Sequence, residues 1–195
     1  ELAQQVAAGV ALMEPRIDAV LEIFADVVAK PDIDGPNPKG RLHAVPIFLK
    51  DIGSRLKGRL QESGTKLLKG YVSPVTDPLV ANFLRAGLVP LGRSATPEFG
   101  MTFDTATDYL GRRKVTRNPW NLERTAGGSS GGSAALVASG VTPLSMASDG
   151  GGSKAAFSPP TFSRSSRCRA QISLITPWAK AIASIIVSSG SSRAK

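Results

Sequence analysis

The segment Thr125-Ala-Gly-Gly-Ser-Ser-Gly-Gly-Ser133 and a second glycine and serine cluster, Ser148-Asp-Gly-Gly-Gly-Ser153, are the most informative parts of this chain. Glycine has no Cβ, so backbone N–H groups in such clusters can approach a reacting atom closely. The residues between the clusters are too apolar for a flexible linker and predict a helix followed by a strand. The clusters therefore predict a site built from serine hydroxyls and backbone N–H groups.

A lysine closes an apolar run upstream of both clusters, in Val45-Pro-Ile-Phe-Leu-Lys-Asp51. The run predicts a buried strand that carries Lys50 into the protein. A lysine acts as a general base only when it is partly neutral, and burial lowers its pKa from an ordinary value of about 10.4. Judged on this run alone, a surface lysine beside a solvated Asp51 is the simpler interpretation, since lysine is rarely buried without a partner.

Two other serine and glycine devices fit the chain poorly. Gly127-Gly-Ser-Ser-Gly131 matches the nucleophile elbow of α/β-hydrolases, but that fold places its histidine after the serine, and His43 precedes it. We interpret His43 as a packing or surface residue. Gly150-Gly-Gly-Ser-Lys154 lacks the spacing of a phosphate-binding loop. The pattern therefore favours a serine hydrolase that does not use histidine.

Alternating helix and strand signals predict an α/β fold. The chain opens inside an amphipathic helical pattern over 1–13 without an initiating methionine, which indicates that its true N-terminus is missing. A strand within 17–24 and a short helix over 25–29 follow. Asp77 is expected to cap a helix that ends before Gly87, with a strand over 88–91 behind it. Trp120 is interpreted as a core or turn anchor.

The cysteine and carboxylate content limits the chemistry. Cys168 is the one cysteine, which excludes an internal disulfide framework and a cysteine-based zinc site. The acidic residues Glu98, Asp104 and Asp108 show no arrangement that calls for a metal. These residues therefore give no reason to expect a metal site.

Four segments follow one another along the chain: Gly40-Arg-Leu-His-Ala-Val-Pro-Ile-Phe-Leu-Lys-Asp51, Leu91-Gly-Arg-Ser-Ala-Thr-Pro-Glu-Phe-Gly100, 115–133 and 148–153. In this order they resemble the amidase signature hydrolases, and 40–51 is similar to the lysine segment of that family. The resemblance covers about 17–153. It implies a partial amidase-signature fold, which is a mixed β-sheet flanked by helices. It also implies an enzyme that hydrolyses the C–N bond of carboxylic amides by a Ser–cisSer–Lys triad, without metal or cofactor. Several motifs in order are much more specific than one glycine-rich loop.

The resemblance also implies a role for each site residue. Lys50 would be the base, Ser129 a bridging serine after a cis peptide, and Ser153 the nucleophile. The backbone N–H groups of Gly150, Gly151, Gly152 and Ser153 would form the oxyanion hole. Ser130 and Asp149 would support the site through hydrogen bonds. Lys50 would take the proton of Ser153 through the hydroxyl of Ser129. Ser133 is given no role.

The expected partner is a small-molecule amide, and neither nucleic acid nor a membrane is expected. The resemblance implies a cytoplasmic protein and allows a homodimer in the full-length parent. The segment Thr116-Arg-Asn-Pro-Trp-Asn121 looks closer to bacterial hydrolases of small and oligomeric amides. The motifs fit the amidase subunit of a tRNA-dependent amidotransferase as well.

The resemblance stops after Ser153, where the family continues with an apolar residue, an arginine and a proline. Residues 155–195 hold ten serines and six basic residues but no acidic residue, in a chain of net charge +9. We predict an amidase-signature portion at 1–154 and an irregular basic tail at 155–195, either disordered or produced by a shifted reading frame. Two alternatives stay open: a catalytically silent fragment, and a basic module that binds nucleic acid or anionic lipid.

Overall fold

The structure is a computed structural model that describes residues 1–148 and 171–172. The α-helices in this part are α1 (Leu2–Ile17), α2 (Ala25–Ala29), α3 (Pro78–Ala86) and α4 (Gly131–Ala138). The strands are β1 (Val20–Ile23), β2 (Pro46–Lys50), β3 (Val89–Ser94), β4 (Ala106–Thr107), β5 (Lys114–Val115), β6 (Arg117–Asn118), β7 (Asn121–Thr125), β8 (Leu144–Ala147) and β9 (Gln171–Ile172). Single 3-10 turns lie at Lys66–Leu68 and Glu98–Gly100.

The main sheet has the strand order β1–β3–β2–β8–β9. Its central strand, β2, is parallel to both neighbours, whereas β1 and β9 pair antiparallel at the two edges. The strands β4 and β5, and likewise β6 and β7, form separate two-stranded ribbons. A mixed sheet with helices packed on it confirms the predicted fold class.

The core has one apolar cluster on each face of β2. Phe48 packs in the cluster that includes residues of α1 and α4, such as Leu136. Its neighbours Ile47 and Leu49 pack in the second cluster, with Val80 of α3. Alternate side chains of a strand point to opposite faces, so a strand covered on both sides reads as one continuous apolar run. This double coverage explains the run that precedes Lys50.

The helix α3 begins and ends where the sequence predicts, since Pro78 is its first residue and Gly87 follows it with φ 91°. Asp77 occupies the predicted N-cap position, but its side chain makes no capping hydrogen bond. Its carboxylate instead accepts the Arg55 N–H over 2.8 Å and pairs with the Arg55 guanidinium over 2.8 Å. The strand β3 runs on to Ser94, three residues past the predicted end.

Trp120 lies in the turn that joins β6 to β7, where its backbone N–H donates to the Asn118 side chain over 2.9 Å. Its indole is 72% exposed, so the part of the prediction that placed Trp120 in the core is wrong. His43 is exposed, which agrees with its interpretation as a surface residue.

No helix within the described residues is long and apolar enough to cross a membrane. The same part of the chain holds no group of three or more His, Cys, Asp or Glu side chains placed to bind a metal ion. Glu98 accepts a hydrogen bond from Thr65 over 2.6 Å, and Asp108 pairs with Lys66 over 3.5 Å at the surface. These two carboxylates therefore make structural contacts.

Candidate active site

Lys50 ends β2, the middle strand of the sheet, and is 1% exposed. Its Nζ donates a hydrogen bond to the Ser129 hydroxyl over 2.8 Å and another to the Ser148 carbonyl over 3.3 Å. The strand predicted from the sequence therefore carries Lys50 inward. The alternative interpretation of Lys50 as a surface residue is wrong.

Ser129 lies in the connection between β7 and α4, 79 residues after Lys50. The peptide bond between Gly128 and Ser129 is cis, as the resemblance implied. Thr96 holds the loop from another side, because its hydroxyl donates to the Ser129 carbonyl over 3.1 Å. The fold thus brings the predicted base and the predicted bridging serine together from distant parts of the chain.

Ser130 directly precedes α4 and is fully buried. Its hydroxyl donates to the Ser148 carbonyl over 3.0 Å and accepts the Ser148 N–H over 3.4 Å. The amine of Lys50 donates to the same carbonyl. These bonds fix the backbone at the point where the second serine cluster begins.

The other predicted site residues follow Ser148 and lie outside the described part of the chain. They are Asp149, Gly150, Gly151, Gly152 and Ser153. The structure therefore gives positions for Lys50, Ser129 and Ser130, and the catalytic or supporting role of every predicted site residue stays a prediction.

The glycines of the first cluster permit close packing between backbones. A Cβ at Gly128 would lie 2.9 Å from backbone atoms of Asp104. A Cβ at Gly132 would overlap the backbone of Ala95. The sequence predicted that the clusters allow N–H groups to approach a reacting atom. At these two positions the glycines allow the loop and α4 to lie directly against neighbouring chain segments.

Ser133, for which no role was expected, fastens α4 to the sheet. Its hydroxyl donates to the Met146 carbonyl of β8 over 2.6 Å and lies 2.7 Å from the Ser94 hydroxyl of β3. Ser133 is fully buried. A polar residue in a helix of small and apolar residues is the sequence signal that could have indicated this contact, because buried hydroxyls need a partner.

A buried ion cluster that the sequence did not predict lies beside Lys50. Arg93 of β3 donates to Asp51 over 2.6 Å, to Glu62 over 3.0 Å and to Glu22 over 2.8 Å. Arg93 is 4% exposed and Asp51 is fully buried. The only signal in the sequence is a charged residue inside the apolar strand β3, and charged residues are rarely buried without partners.

The same cluster holds the backbone of a neighbouring loop. The Asp51 carboxylate accepts the N–H groups of Glu62 and Gly64, each over 3.0 Å. Burial raises the pKa of Asp51, against the opposing effect of the Arg93 charge and these N–H groups. Burial alone would lower the pKa of Arg93, but the charge of Asp51 contributes to a net rise above the ordinary value. Arg93 therefore stays charged inside the protein.

An apolar loop borders Ser129. A Cβ at Gly100 would lie 3.5 Å from the Ser129 hydroxyl oxygen. Around it, Phe99, Met101 and Phe103 are 42%, 81% and 78% exposed. An open apolar rim beside a serine hydroxyl suits the non-polar part of a small organic ligand.

The arrangement of Lys50 and Ser129 is suited to moving a proton. A separation of 2.8 Å is within the reach of direct transfer between an amine and a hydroxyl. Burial disfavours the charged form of an amine and so favours the form that can accept a proton. A serine held by a base in this way can in turn deprotonate a second hydroxyl.

Comparison with known proteins finds a matching family model and similar sequences. A family model described as Amidase matches residues 3–154. A glutamyl-tRNA(Gln) amidotransferase subunit from Methanosarcina acetivorans is 46% identical over 121 residues, which make up 62% of this chain and 25% of that protein. The protein of the same name from Symbiobacterium thermophilum is 38% identical over 160 residues, which make up 78% of this chain and 32% of that protein.

The fold is similar to that of a solved hydrolase. The structure of 6-aminohexanoate cyclic dimer hydrolase matches with a TM-score of 0.70 and 34% identity, over 78% of this chain and 31% of that one. The chain thus spans about a quarter to a third of the length of the relatives it matches. A family model that matches most of the chain, together with this shared fold, shows that the chain belongs to the amidase signature family.

Proposed function

We propose that this chain is the lysine- and serine-bearing part of an enzyme that hydrolyses carboxylic amides, with Lys50, Ser129 and Ser153 as its catalytic triad. The observation that supports this most strongly is the 2.8 Å hydrogen bond between the buried amine of Lys50 and the Ser129 hydroxyl. Membership of the amidase signature family agrees with it. Because the chain spans only part of its relatives, we expect low activity from the chain alone.

In the proposed mechanism, neutral Lys50 accepts the proton of Ser129 as Ser129 accepts the proton of Ser153. The oxygen of Ser153 attacks the amide carbonyl carbon, and the backbone N–H groups of 150–153 stabilise the oxyanion. The proton then returns through Ser129 to the leaving nitrogen as the C–N bond breaks. Water attacks the resulting ester by the same route and releases the acid. Every group in this reaction comes from the chain, the substrate or water.

Labelling with a fluorophosphonate tests the nucleophile, because this reagent needs an activated serine rather than a complete substrate pocket. We expect one slow adduct per chain, which intact-mass spectrometry detects, and we expect Ser153→Ala to abolish it. His43→Ala is the matched control, since His43 is exposed.

The outcomes of this experiment separate the alternatives. Labelling that survives Ser153→Ala would contradict the assignment of the nucleophile. A folded chain that is not labelled at all would establish the alternative of a catalytically silent fragment.

The proposed substrate class is a small carboxylic amide. The exposed apolar rim around Met101 and Phe103 favours an amide with a non-polar substituent. A panel of aliphatic and aromatic amides, assayed by released amine or ammonia, tests this. Preference for polar amides without a non-polar group would contradict it.

A second candidate is the amidase subunit of an amidotransferase. The 46% identity to the glutamyl-tRNA(Gln) amidotransferase subunit from Methanosarcina acetivorans favours it. In that case, glutamine should be hydrolysed in preference to the non-polar amides of the panel. A chain that releases ammonia from glutamine no faster than from those amides would count against this candidate.

The proposal also covers the organisation of the chain. We take 1–154 as the catalytic portion and 155–195 as a basic tail, of which residues 171–172 add the edge strand β9 to the main sheet. We also propose a cytoplasmic location, a small amide as the bound molecule, and homodimerisation in the full-length parent. Deletion of 155–195 removes β9 but none of the proposed catalytic residues, so fluorophosphonate labelling should persist. Salt-sensitive binding to nucleic acid or anionic vesicles that disappears with this deletion would instead support the alternative of a basic binding module.

A further inference from the structure

The ion cluster around Arg93 is linked to Lys50 through the backbone. Asp51 follows Lys50 directly, and its N–H donates to the Ser94 carbonyl over 3.2 Å where β2 pairs with β3. Arg93 binds the Asp51 carboxylate from the residue before Ser94. The position of the Lys50 backbone is therefore fixed on its C-terminal side by the Arg93–Asp51 pair.

The same pair is linked to the loop that borders Ser129. The Asp51 carbonyl accepts the Ser63 N–H over 3.0 Å, and the Ser63 carbonyl accepts the Phe99 N–H over 2.8 Å. The next residue, Gly100, lies so close to the Ser129 hydroxyl that a Cβ there would contact it. Hydrogen bonds thus join the ion cluster to the backbone next to Lys50 and to the loop at Phe99, and Gly100 of that loop lies beside Ser129.

The charges of Arg93 and Asp51 are a second link between the ion cluster and Lys50. A carboxylate next to a lysine favours the protonated lysine, which cannot act as a base. Arg93 carries a compensating positive charge that is itself buried. Within residues 1–148, the charged or titratable groups that we place around the end of β2 are Asp51, Arg93, Glu22, Glu62, Tyr109, Glu98 and Asp104, with Glu14 on α1. Asp149, which follows Ser148, lies outside the described residues. The adjoining elements α4 and β8 contribute none.

We propose that Arg93 is a positioning residue for the lysine base, and that it offsets the charge of Asp51, the next residue in the chain, so that the Lys50 amine can exist in its proton-accepting form. This inference rests on the proposed function. Arg93 touches neither substrate nor the reacting atoms in this scheme, and acts through Asp51.

The test is a direct titration of the Lys50 amine by NMR in the whole chain with ¹³C-labelled lysine, with the signal assigned by its loss in Lys50→Met. In Arg93→Gln the midpoint should rise by at least about one pH unit, a tenfold gain in proton affinity, because Asp51 and Glu62 lose their counter-ion. In Asp51→Asn it should fall, because the negative charge of the residue next to Lys50 is lost while Arg93 keeps its positive charge and its pairs with Glu22 and Glu62.

Opposite signs distinguish this role from a structural one. If the two substitutions merely loosened the fold and exposed Lys50 to water, both midpoints would move upward toward that of an ordinary lysine. Arg59→Gln is the matched control, since Arg59 pairs with Asp26 and Asp34 and is not part of the ion cluster. Midpoints that shift in the same direction, or do not shift, would overturn the proposal.

The titration needs no catalytic activity, so its result is separate from the outcome of fluorophosphonate labelling. If the chain is not labelled but the Lys50 midpoint rises in Arg93→Gln and falls in Asp51→Asn, the proposed function is refuted, while the inferred effect of Arg93 on Lys50 stands. If Arg93→Gln does not fold, the Lys50 midpoints of Asp51→Asn and Arg93→Lys test the proposal. The first should lower the midpoint and the second should leave it unchanged, and any other pair of results would contradict the inference.

Discussion

Lys50 brings an amine into the interior at the end of a strand whose other residues are apolar. Placing an amine there has an energetic cost, because burial disfavours its charged form. The Ser129 hydroxyl and the Ser148 carbonyl accept its hydrogen bonds and so reduce this cost. A buried amine with these partners is suited to proton transfer.

Replacing Lys50 by methionine tests the base at the residue scale. Lys50→Met retains most of the side-chain length and removes the amine, so the fluorophosphonate labelling rate should fall by at least about 100-fold. Stability should change by no more than about 1–2 kcal/mol, since the lost hydrogen bonds are offset by burial of an apolar group. Time-resolved intact-mass spectrometry and urea unfolding measure the two effects.

The matched control is Lys57→Met, because Lys57 is exposed. It should leave labelling unchanged. Equal labelling rates in the two variants would contradict the assignment of Lys50 as the base.

At the scale of elements, the sequence predicted what depends on local pattern. The apolar run before Lys50, the proline and glycine that bound α3, and the glycine-rich entry to α4 were all readable. The partners of Arg93 and Ser133 could not be predicted from the sequence. Glu62 and Glu22 lie 31 and 71 residues from Arg93, and the partners of Ser133 belong to two different strands. Side-chain pairing over such separations leaves no periodic signal in a single sequence.

Two helical glycines should respond in opposite ways to the same substitution. In Gly132→Ala the new methyl group meets the Ala95 backbone and the Ala19 carbonyl, so we expect a loss of about 1–3 kcal/mol or more. In Gly9→Ala the methyl group lies 3.8 Å from Val141, an ordinary contact, and helix propensity should add about 0.5–1 kcal/mol of stability. Urea unfolding measures both. Changes of the same sign would contradict the close packing of α4.

The C-terminal end of α1 should contribute a pH-dependent stability. Burial alone would raise the pKa of Asp18, but hydrogen bonds and charges from Arg112 and Lys114 bring it below the ordinary value. Since the folded-state pKa is the lower one, this stabilisation is complete above the unfolded value of about 3.9 and is lost as the pH falls through the folded-state pKa.

Asp18→Asn tests this contribution without disturbing the backbone, because asparagine tolerates the left-handed conformation of Asp18 at φ 52°. The variant should be less stable than the unchanged chain by about 1–3 kcal/mol at neutral pH. The difference should shrink as the pH falls below about 4. A difference that stays constant down to acid unfolding would show that the charge of Asp18 is not involved.

At the scale of the whole molecule, β2 couples the two apolar clusters, because its alternate side chains belong to opposite faces. Unfolding should therefore be a single transition. Phe48→Ala and Leu49→Ala create cavities on opposite faces of β2. Each should lower the stability of the entire described region, by about 3–5 kcal/mol for Phe48→Ala and about 2–5 kcal/mol for Leu49→Ala.

Hydrogen exchange read out by mass spectrometry measures this coupling, since peptides from α1 and from α3 report on the two faces separately. Each variant should increase exchange in both sets of peptides. Faster exchange confined to the face of the substituted residue would show that the clusters unfold independently.

The strand order has a consequence for how the protein is made. Phe48 of β2 pairs with a residue of β8 that is synthesised 97 positions later. At about 5–20 residues per second, a ribosome needs several seconds to cover that interval. During this interval the edge of β2 that later pairs with β8 is open, and a strand of another nascent chain can pair with it. Slower translation between the codons of β2 and β8 should therefore increase the insoluble fraction of newly made protein.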